Sequence, residues 1–332
     1  MSGTFDLRRL LRRDSSVLQL LLLTAAIFAA MSALNPEKFL RAYNFQSLTF
    51  LAPELGLLAV AMMLAMLTGG IDLSVIGIAN LSGILAGLFF HAVGAPRGPA
   101  LMHLPLLPVA AGIAIALAAG ALAGALNGLL IARLRITPIL ATIGTGQVYV
   151  GLALVLTGGP AIVGFPALWD AIGNATLFGI ALPLLLFLLV GAGVATALSR
   201  TALGVELFLI GTSAKAAAFA GIRLGRAIFL SYVATGVLAS LAGILLSART
   251  NAAKSDYGTS YLLQAVLIAV LGGTNPAGGQ ATVIGVAIAL AALMLLSSGF
   301  QLMRFSNFLV DFIWGAFLLI VIAINALRNR AR

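Results

Sequence analysis

Three carboxylates interrupt long apolar stretches and are the residues there best suited to chemistry: Glu54, Asp72 and Asp311. Asp72 ends the glycine-containing sequence LTGGID, in which Gly69 and Gly70 precede it closely. The preferred interpretation is a tight cytoplasmic turn, in which the glycines reverse the chain and Asp72 caps the next helix. The other interpretation is a broken-helix site on a transport path, since carboxylates inside a membrane are costly and usually functional.

The remaining reactive side chains do not form an enzyme site. His91 and His103 lie in or beside one loop, without a carboxylate at metal-ligand spacing, and neither HExxH nor GxSxG occurs. Lys38, Lys215 and Lys254 all lack the preceding glycine of a phosphate-binding loop. The chain has no cysteine, which excludes disulfides and thiolate metal sites. We expect no catalytic residue, no bound metal, no cofactor and no ATP hydrolysis by this chain alone.

The elements that position these residues are predicted to be membrane-spanning helices. The chain has 61% hydrophobic and 8% charged residues, and a mean hydropathy of +1.14. A soluble domain has about 25% charged residues, and a bilayer needs roughly 20 apolar residues per helix. The composition therefore predicts an all-α, polytopic bundle of about ten spans. The predicted spans are Val17–Leu34, Ser47–Thr68, Leu73–His91, Leu106–Ile131, Ile139–Thr157, Leu177–Leu198, Ala227–Ala248, Leu262–Leu271, Val283–Phe300 and Asn307–Leu327. The eighth is too short alone and either re-enters the membrane or extends through Tyr257.

Basic residues orient these spans in the membrane. With both termini in the cytoplasm, only six of the 19 basic residues lie outside, as the positive-inside rule requires. These six are Lys38, Arg41, Arg97, Arg249, Lys254 and Arg304. The net charge of +10 then reflects topology and anionic membrane lipid, and implies no nucleic-acid partner. The expected organisation is a basic N-terminus (1–16), a transmembrane domain (17–327) and a short cytoplasmic tail (328–332).

The longest basic loop, 200–226, contains an alanine-rich segment that predicts a short helix. Thr212 or Ser213 can cap its start, Ala214–Ala220 favours helix, and Gly221 can end it. Such a helix is too short to cross a bilayer. It is either a docking element that fits a partner's groove or an amphipathic linker on the membrane surface.

Small and polar residues within the spans have packing explanations as well as functional ones. Glycines at four-residue spacing, Gly120, Gly124 and Gly128, predict close helix contacts, more readily within one chain than between two copies. A second glycine-rich reversal, LGGTNPAGGQ, covers Leu271–Gln280. Several polar residues at span depth either line a path or form interhelical hydrogen bonds: Asn127, Thr142, Thr145, Gln147 and Gln264.

Four segments in a fixed order carry a family resemblance: LTGGIDLSV, ITPILATIGT, IGTSAKAAAFAGI and VLGGTNPAGG. Together they resemble the ribose, rhamnose and autoinducer-2 type permeases of bacterial ABC sugar importers, over residues from about Ser47 to Leu327. The resemblance implies a permease subunit of the inner membrane that works by alternating access. Its implied partners are ABC ATPase subunits, a periplasmic or lipid-anchored solute-binding protein, and a second permease copy or paralogue.

The same resemblance places the ATPase-coupling segment within loop 200–226. The family pattern falls on Gly211, Ala216, Ala217, Gly221 and Ile222, and Thr212 stands where the pattern often has asparagine. It implies that the short helix transmits movement of the ATPases to the spans. The alternatives from other classes are a stand-alone secondary transporter or channel, for which the intramembrane carboxylates are few, and a scaffold without transport activity.

Overall fold

The computed structural model describes residues 15–95 and 106–330. Their long and short helices are α1 Ser15–Leu34, α2 Pro36–Phe39, α3 Ala42–Leu67, α4 Val75–Ala92, α5 Leu106–Ala132, α6 Pro138–Thr157, α7 Ala167–Asn174, α8 Leu182–Arg200, α9 Ala202–Thr212, α10 Ala214–Phe219, α11 Leu224–Thr250, α12 Tyr261–Leu271, α13 Val283–Leu302 and α14 Asn307–Arg330. This confirms the predicted all-α polytopic bundle. The predicted N-terminal segment, apart from its last two residues, lies outside the described residues, as do Arg97 and His103.

Eight helices in the described part of the chain are long and apolar enough to cross a membrane. They are α1, α3, α4, α5, α6, α8, α11 and α13. The predicted span Leu262–Leu271 corresponds to α12, which has 11 residues and is about 16 Å long at 1.5 Å per residue. It does not extend through Tyr257 as a helix. The apolar part of α14 is Phe308–Val321.

The core of the bundle is built around α11, which packs against α3, α4 and α5. The glycines at four-residue spacing on α5, Gly120, Gly124 and Gly128, face α11. A β-carbon at Gly124 would overlap the Tyr232 carbonyl oxygen, and one at Gly128 would lie 2.9 Å from the Phe229 carbonyl oxygen. Contacts progress in opposite directions along the two helices, so α5 and α11 are antiparallel. These glycines pack spans within one chain, as the sequence favoured.

The segments between spans contain structure that the hydropathy pattern did not predict. Helix α8 begins five residues later than the predicted span, after a hairpin of β2 (Thr176–Leu177) and β3 (Ile180–Ala181). Phe178 and Gly179 form its turn with positive φ values of 52° and 78°. A second antiparallel pair joins β1 (Ile162–Val163) to β4 (Ala252–Ala253). The β1–β4 pairing connects two loops that are far apart in the sequence, whereas the β2–β3 hairpin lies within one loop.

Loop 200–226 holds two helices where the sequence predicted one. Helix α9 continues from α8 after Thr201, whose hydroxyl accepts a hydrogen bond from the Gly204 amide. Its apolar sequence is 11 residues long, which is below the length of a span, so hydropathy alone did not separate it from the loop. The predicted alanine-rich helix is present as α10 and ends at Phe219.

Candidate functional site

Asp72 lies inside the bundle between the end of α3 and the start of α4, and it is completely buried. Gly69, with φ +80°, reverses the chain after α3. The Asp72 side chain accepts a hydrogen bond from Thr235 on α11. Thr235 is about 16 Å along α11 from Leu224, at a rise of 1.5 Å per residue. This places the carboxylate near the middle of a membrane-spanning helix, not at its end.

A chain of hydrogen bonds leads from α6 to this carboxylate. The Thr145 hydroxyl donates to Asn127 Oδ1 at 2.6 Å, and Asn127 Nδ2 donates to Ser74 Oγ at 2.8 Å. The Ser74 hydroxyl donates to Asp72 Oδ1 at 2.6 Å, and the Ser74 amide donates to the same oxygen at 3.0 Å. The Thr235 hydroxyl donates to Oδ2 at 3.0 Å. We call these five residues the Asp72 network.

The Asp72 network joins the turn to α5, α6 and α11 through buried side chains. Every donor in it is directed toward the carboxylate, which has no ion-pair partner among the described residues. Hydrogen bonds to an ionised acceptor are stronger than neutral ones and offset part of the desolvation of a buried charge. These donors therefore lower the cost of burying this carboxyl group without a cationic partner.

Neighbouring contacts fix the position of the turn. A β-carbon at Gly70 would overlap the Tyr232 hydroxyl and lie 3.1 Å from Pro138 Cβ. The Thr142 hydroxyl accepts a hydrogen bond from the Leu73 amide at 3.1 Å. Thr142 and the Asp72 network thus hold both sides of the turn. Sequence reasoning singled out Asp72 and Asn127 separately but did not identify Ser74 or Thr235 as their partners.

Gln147 does not join the Asp72 network, although both were predicted as candidates for one path. Its side chain is exposed on α6, whereas Thr145 two residues earlier is buried. Gly144 and Gly151 lie on the same exposed face, with open space around each ideal β-carbon position. Gln264 is buried on α12. Asp311 is exposed near the start of α14.

The predicted coupling segment forms a compact projection. The Ser213 hydroxyl accepts a hydrogen bond from the Ala216 amide at 3.3 Å, so Ser213 is the cap. The Thr212 hydroxyl instead donates to the Phe208 carbonyl. Ala217, one of the predicted coupling residues, is buried within this chain. Gly221 follows the helix with φ +81°.

The side chains that α10 does present outward include one the sequence reasoning missed. Phe219 is 94% exposed, and Lys215 and Ala216 are also exposed. Ile222 is partly buried against the core. An aromatic ring fully exposed at the end of a short helix is a typical anchor for a protein partner. The sequence could have indicated Phe219, because this aromatic residue lies two residues before Gly221 and outside any predicted membrane span.

A second polar cluster lies at the C-terminal end of α11, the end farther along the chain from α10. Arg249 and Glu54 form a bidentate ion pair, and the Tyr261 hydroxyl donates to Glu54 Oε1 at 2.8 Å. Asn80 donates hydrogen bonds to the Ser255 and Tyr257 carbonyls nearby. In the adjoining loop, the Lys254 ammonium donates a hydrogen bond to Asp256 Oδ2 at 2.8 Å, which raises the pKa of Lys254. No group of three or more possible metal ligands occurs in the described part of the chain.

These helices form a multi-pass membrane bundle with a polar network inside it and a short helix between α9 and α11. The sequence matches the family described as branched-chain amino acid transport system / permease component over residues 44–322. The chain belongs to this family, and it is the permease subunit of an ABC importer. This confirms the resemblance carried by the four sequence segments.

Characterised relatives support the same assignment. The chain is 35% identical over 274 residues to the autoinducer 2 import system permease protein LsrD of Photorhabdus luminescens, covering 81% of this chain and 78% of the relative. Over the same shares of both chains it is 34% identical to LsrD of Photorhabdus laumondii and 32% identical to LsrD of Yersinia pseudotuberculosis. No solved structure matches the chain.

Proposed function

We propose that this permease imports a sugar or sugar-like solute across the cytoplasmic (inner) membrane, driven by ATP hydrolysis on a separate subunit. The observation that carries the proposal is the projecting helix α10, which presents Phe219 outside the bundle while Ala217 holds its other side against the chain. Its surface suits insertion into a groove on an ATPase. The importer would further require a solute-binding protein and a second permease subunit.

The face of α6 that carries Gln147 is our candidate for the solute path. Gln147 is the tenth residue of this 20-residue helix, so its amide lies near the middle of the span. Exposing an amide to hydrocarbon is costly because its hydrogen-bonding groups find no partner there. Gly144 and Gly151 beside it leave room for close approach. The exposed amide and the two glycines indicate that the solute path or the second permease, and not lipid, covers this face of α6.

The chemistry of this face bears on the solute. Its exposed polar group is the neutral amide of Gln147, which can hydrogen-bond to the hydroxyls of an uncharged sugar-like molecule. An amino acid would bring a carboxylate and an ammonium group into the membrane, which call for charged partners. Helix α6 carries no charged side chain that could pair with them. The proposal therefore follows the relatives named for autoinducer 2 import, not the amino acids in the family description.

The accessibility of an introduced cysteine tests this path. The chain has no cysteine, so Gln147→Cys can be labelled without background. We expect a charged, water-soluble thiol reagent to label it in the assembled permease. Leu189→Cys, on the exposed face of α8, is the matched control and should react only with a lipophilic reagent. Equal resistance of both cysteines to the charged reagent would contradict a solute path along this face of α6.

Labelling also tests the orientation, in which both termini and α10 lie in the cytoplasm. Lys215→Cys should react from the cytoplasmic side and Asp256→Cys from the opposite side, since both residues are exposed. Reaction of both from one side would contradict the arrangement of spans.

Reconstitution tests the proposed activity as a whole. The permease should be placed in liposomes with its candidate ATPase, permease and binding-protein partners, and uptake of a labelled sugar-like solute followed. We expect uptake that requires ATP and the binding protein. Uptake by this chain alone in ATP-free liposomes, driven by an ion gradient, would favour a secondary transporter instead.

A further inference from the structure

Three backbone segments far apart in the sequence meet at the base of the coupling helix. Gly211 lies in the last turn of α9, two residues before the cap of α10. A β-carbon at Gly211 would overlap both the Leu67 carbonyl oxygen and the Gly279 amide nitrogen. The coupling segment is thus in direct backbone contact with the end of α3 and with the second glycine-rich turn.

The two glycine-rich turns also contact each other at this point. The Gly279 amide donates a hydrogen bond to the Leu67 carbonyl at 3.0 Å. A β-carbon at Gly278 would lie 2.8 Å from the Gly211 carbonyl oxygen and 3.0 Å from the Gly69 amide nitrogen. We call Leu67, Gly69, Gly211, Gly278 and Gly279 the glycine junction. No side chain separates these backbones, so each segment is held directly by the other two.

We infer that the glycine junction transmits movement of α10 to the Asp72 turn inside the membrane. Only Ser213 separates α10 from α9, so a displacement of α10 acts on Gly211 directly. Gly211 contacts Leu67, and Asp72 follows five residues later in the same turn. Close-packed contacts transmit displacement, whereas flexible side chains at the same positions would absorb part of it by changing rotamer.

The second glycine-rich turn, Leu271–Gln280, takes part in this transmission. The turn is rigid in itself: the Asn275 amide donates to the Gln280 carbonyl at 2.9 Å, and the Gly278 amide donates to the Asn275 carbonyl at 2.9 Å. It leads into α13, which packs against α1, α3 and α12. The junction therefore distributes one movement to α3 and α13 together. The glycines act as positioning residues and do not contact the solute.

The inference rests on the proposed function. Its test measures the amount of solute transported per ATP hydrolysed. Gly211→Ala should copurify with the ATPase, yet its transport per ATP should fall by about a factor of ten because the added methyl group forces the backbones apart. Gly193→Ala on α8, where nothing lies within 4 Å of the added carbon, is the matched control and should leave the ratio unchanged. An assembled Gly211→Ala variant with the wild-type ratio would overturn the inference.

A milder variant covers the case in which Gly211→Ala does not assemble. The added carbon in Gly69→Ala meets only the Ala277 carbonyl, with its oxygen at 3.2 Å, and the positive φ strains the backbone of any residue with a side chain. We expect transport per ATP to fall in this variant too. A normal ratio in this variant, with Gly211→Ala failing to assemble, would also overturn the inference.

A labelling experiment detects the transmitted movement without measuring transport. Ile71→Cys, next to Asp72 and partly buried, should change its reaction rate with a small thiol reagent about threefold when vanadate traps the ATPase. The change should disappear when Gly69→Ala is added. An equal change with and without Gly69→Ala contradicts the inference, whereas absence of any ATP-dependent transport in the wild-type complex contradicts the proposed function instead.

Discussion

Glu54 and Arg249 are 195 residues apart in sequence, yet they form the one bidentate ion pair among the described residues. The two contacts are 3.1 Å and 2.8 Å long. The Glu54 side chain is only 2% exposed and that of Arg249 is 23% exposed. The pair ties the end of α11 to α3 and, through Tyr261, to the start of α12. The effect of such a buried ion pair on stability is largest when one partner is removed, because the other charge is then left buried without a partner.

Removing one charge of this pair should therefore destabilise the permease more than removing a surface charge. We expect Glu54→Gln to lower the free energy of unfolding by about 3 kcal/mol, since it leaves the Arg249 guanidinium without its anion. The measurement is thermal unfolding in detergent. Asp256→Asn is the control, because its ion pair with Lys254 is solvent-exposed and should contribute less than about 1 kcal/mol. Equal melting temperatures for both variants would contradict this role.

Asp72→Asn and Asp72→Leu should separate the charge from the hydrogen bonding of this residue. Asparagine keeps an acceptor for Ser74, and the Thr235 hydroxyl can rotate to accept from the new amide, so we expect most transport to remain. Leucine leaves the amide and the hydroxyl of Ser74 without an acceptor at about 1–3 kcal/mol each, so assembly should fail. Assembly is measured by copurification, with the exposed Asp311→Leu as control. An Asn variant that assembles but does not transport would show that the charge itself is needed.

Phe219→Ala tests docking more cleanly than a substitution at the buried Ala217. Loss of an aromatic anchor at an interface costs about 2 kcal/mol or more, which corresponds to a roughly 30-fold weaker association. We expect this loss in titrations of the ATPase against the reconstituted permease. Phe178→Ala is the matched control, because Phe178 is 96% exposed on the β2–β3 hairpin. Unchanged affinity of the Phe219 variant would remove Phe219 from the interface.

Gly124→Ala should destabilise the helix pair at the centre of the bundle. The added carbon would overlap the Tyr232 carbonyl oxygen and lie 3.1 Å from Gly236 Cα. Overpacking of this kind costs about 1–3 kcal/mol. The melting temperature in detergent measures it, and Gly193→Ala, with open space around the added carbon, should match the wild type. A Gly124→Ala variant with the wild-type melting temperature would show that α5 and α11 can move apart to accommodate the added carbon without loss of stability.

The sequence predicted the features that depend on local pattern. Apolar runs indicated the long helices, and alanine content with Ser213 and Gly221 indicated the short helix between spans. The long-range contacts of the Asp72 network could not be predicted, because Thr235 reaches Asp72 and Asn127 reaches Ser74 only through the packing of α11 and α5 in the bundle. The burial of Ala217 and exposure of Phe219 likewise depend on which side of α10 meets the bundle. Helix α9 was missed because it is apolar but shorter than a span.

The direction of the hydrogen bonds around Asp72 has a consequence for the membrane as an electrical insulator. A relay that conducts protons needs groups that accept a proton on one side and release it on the other. The amide of Asn127 interrupts such a relay between Thr145 and Ser74, because its nitrogen donates without taking up a proton. This hydrogen-bond chain therefore gives the Asp72 carboxyl group no route for proton exchange with Thr145.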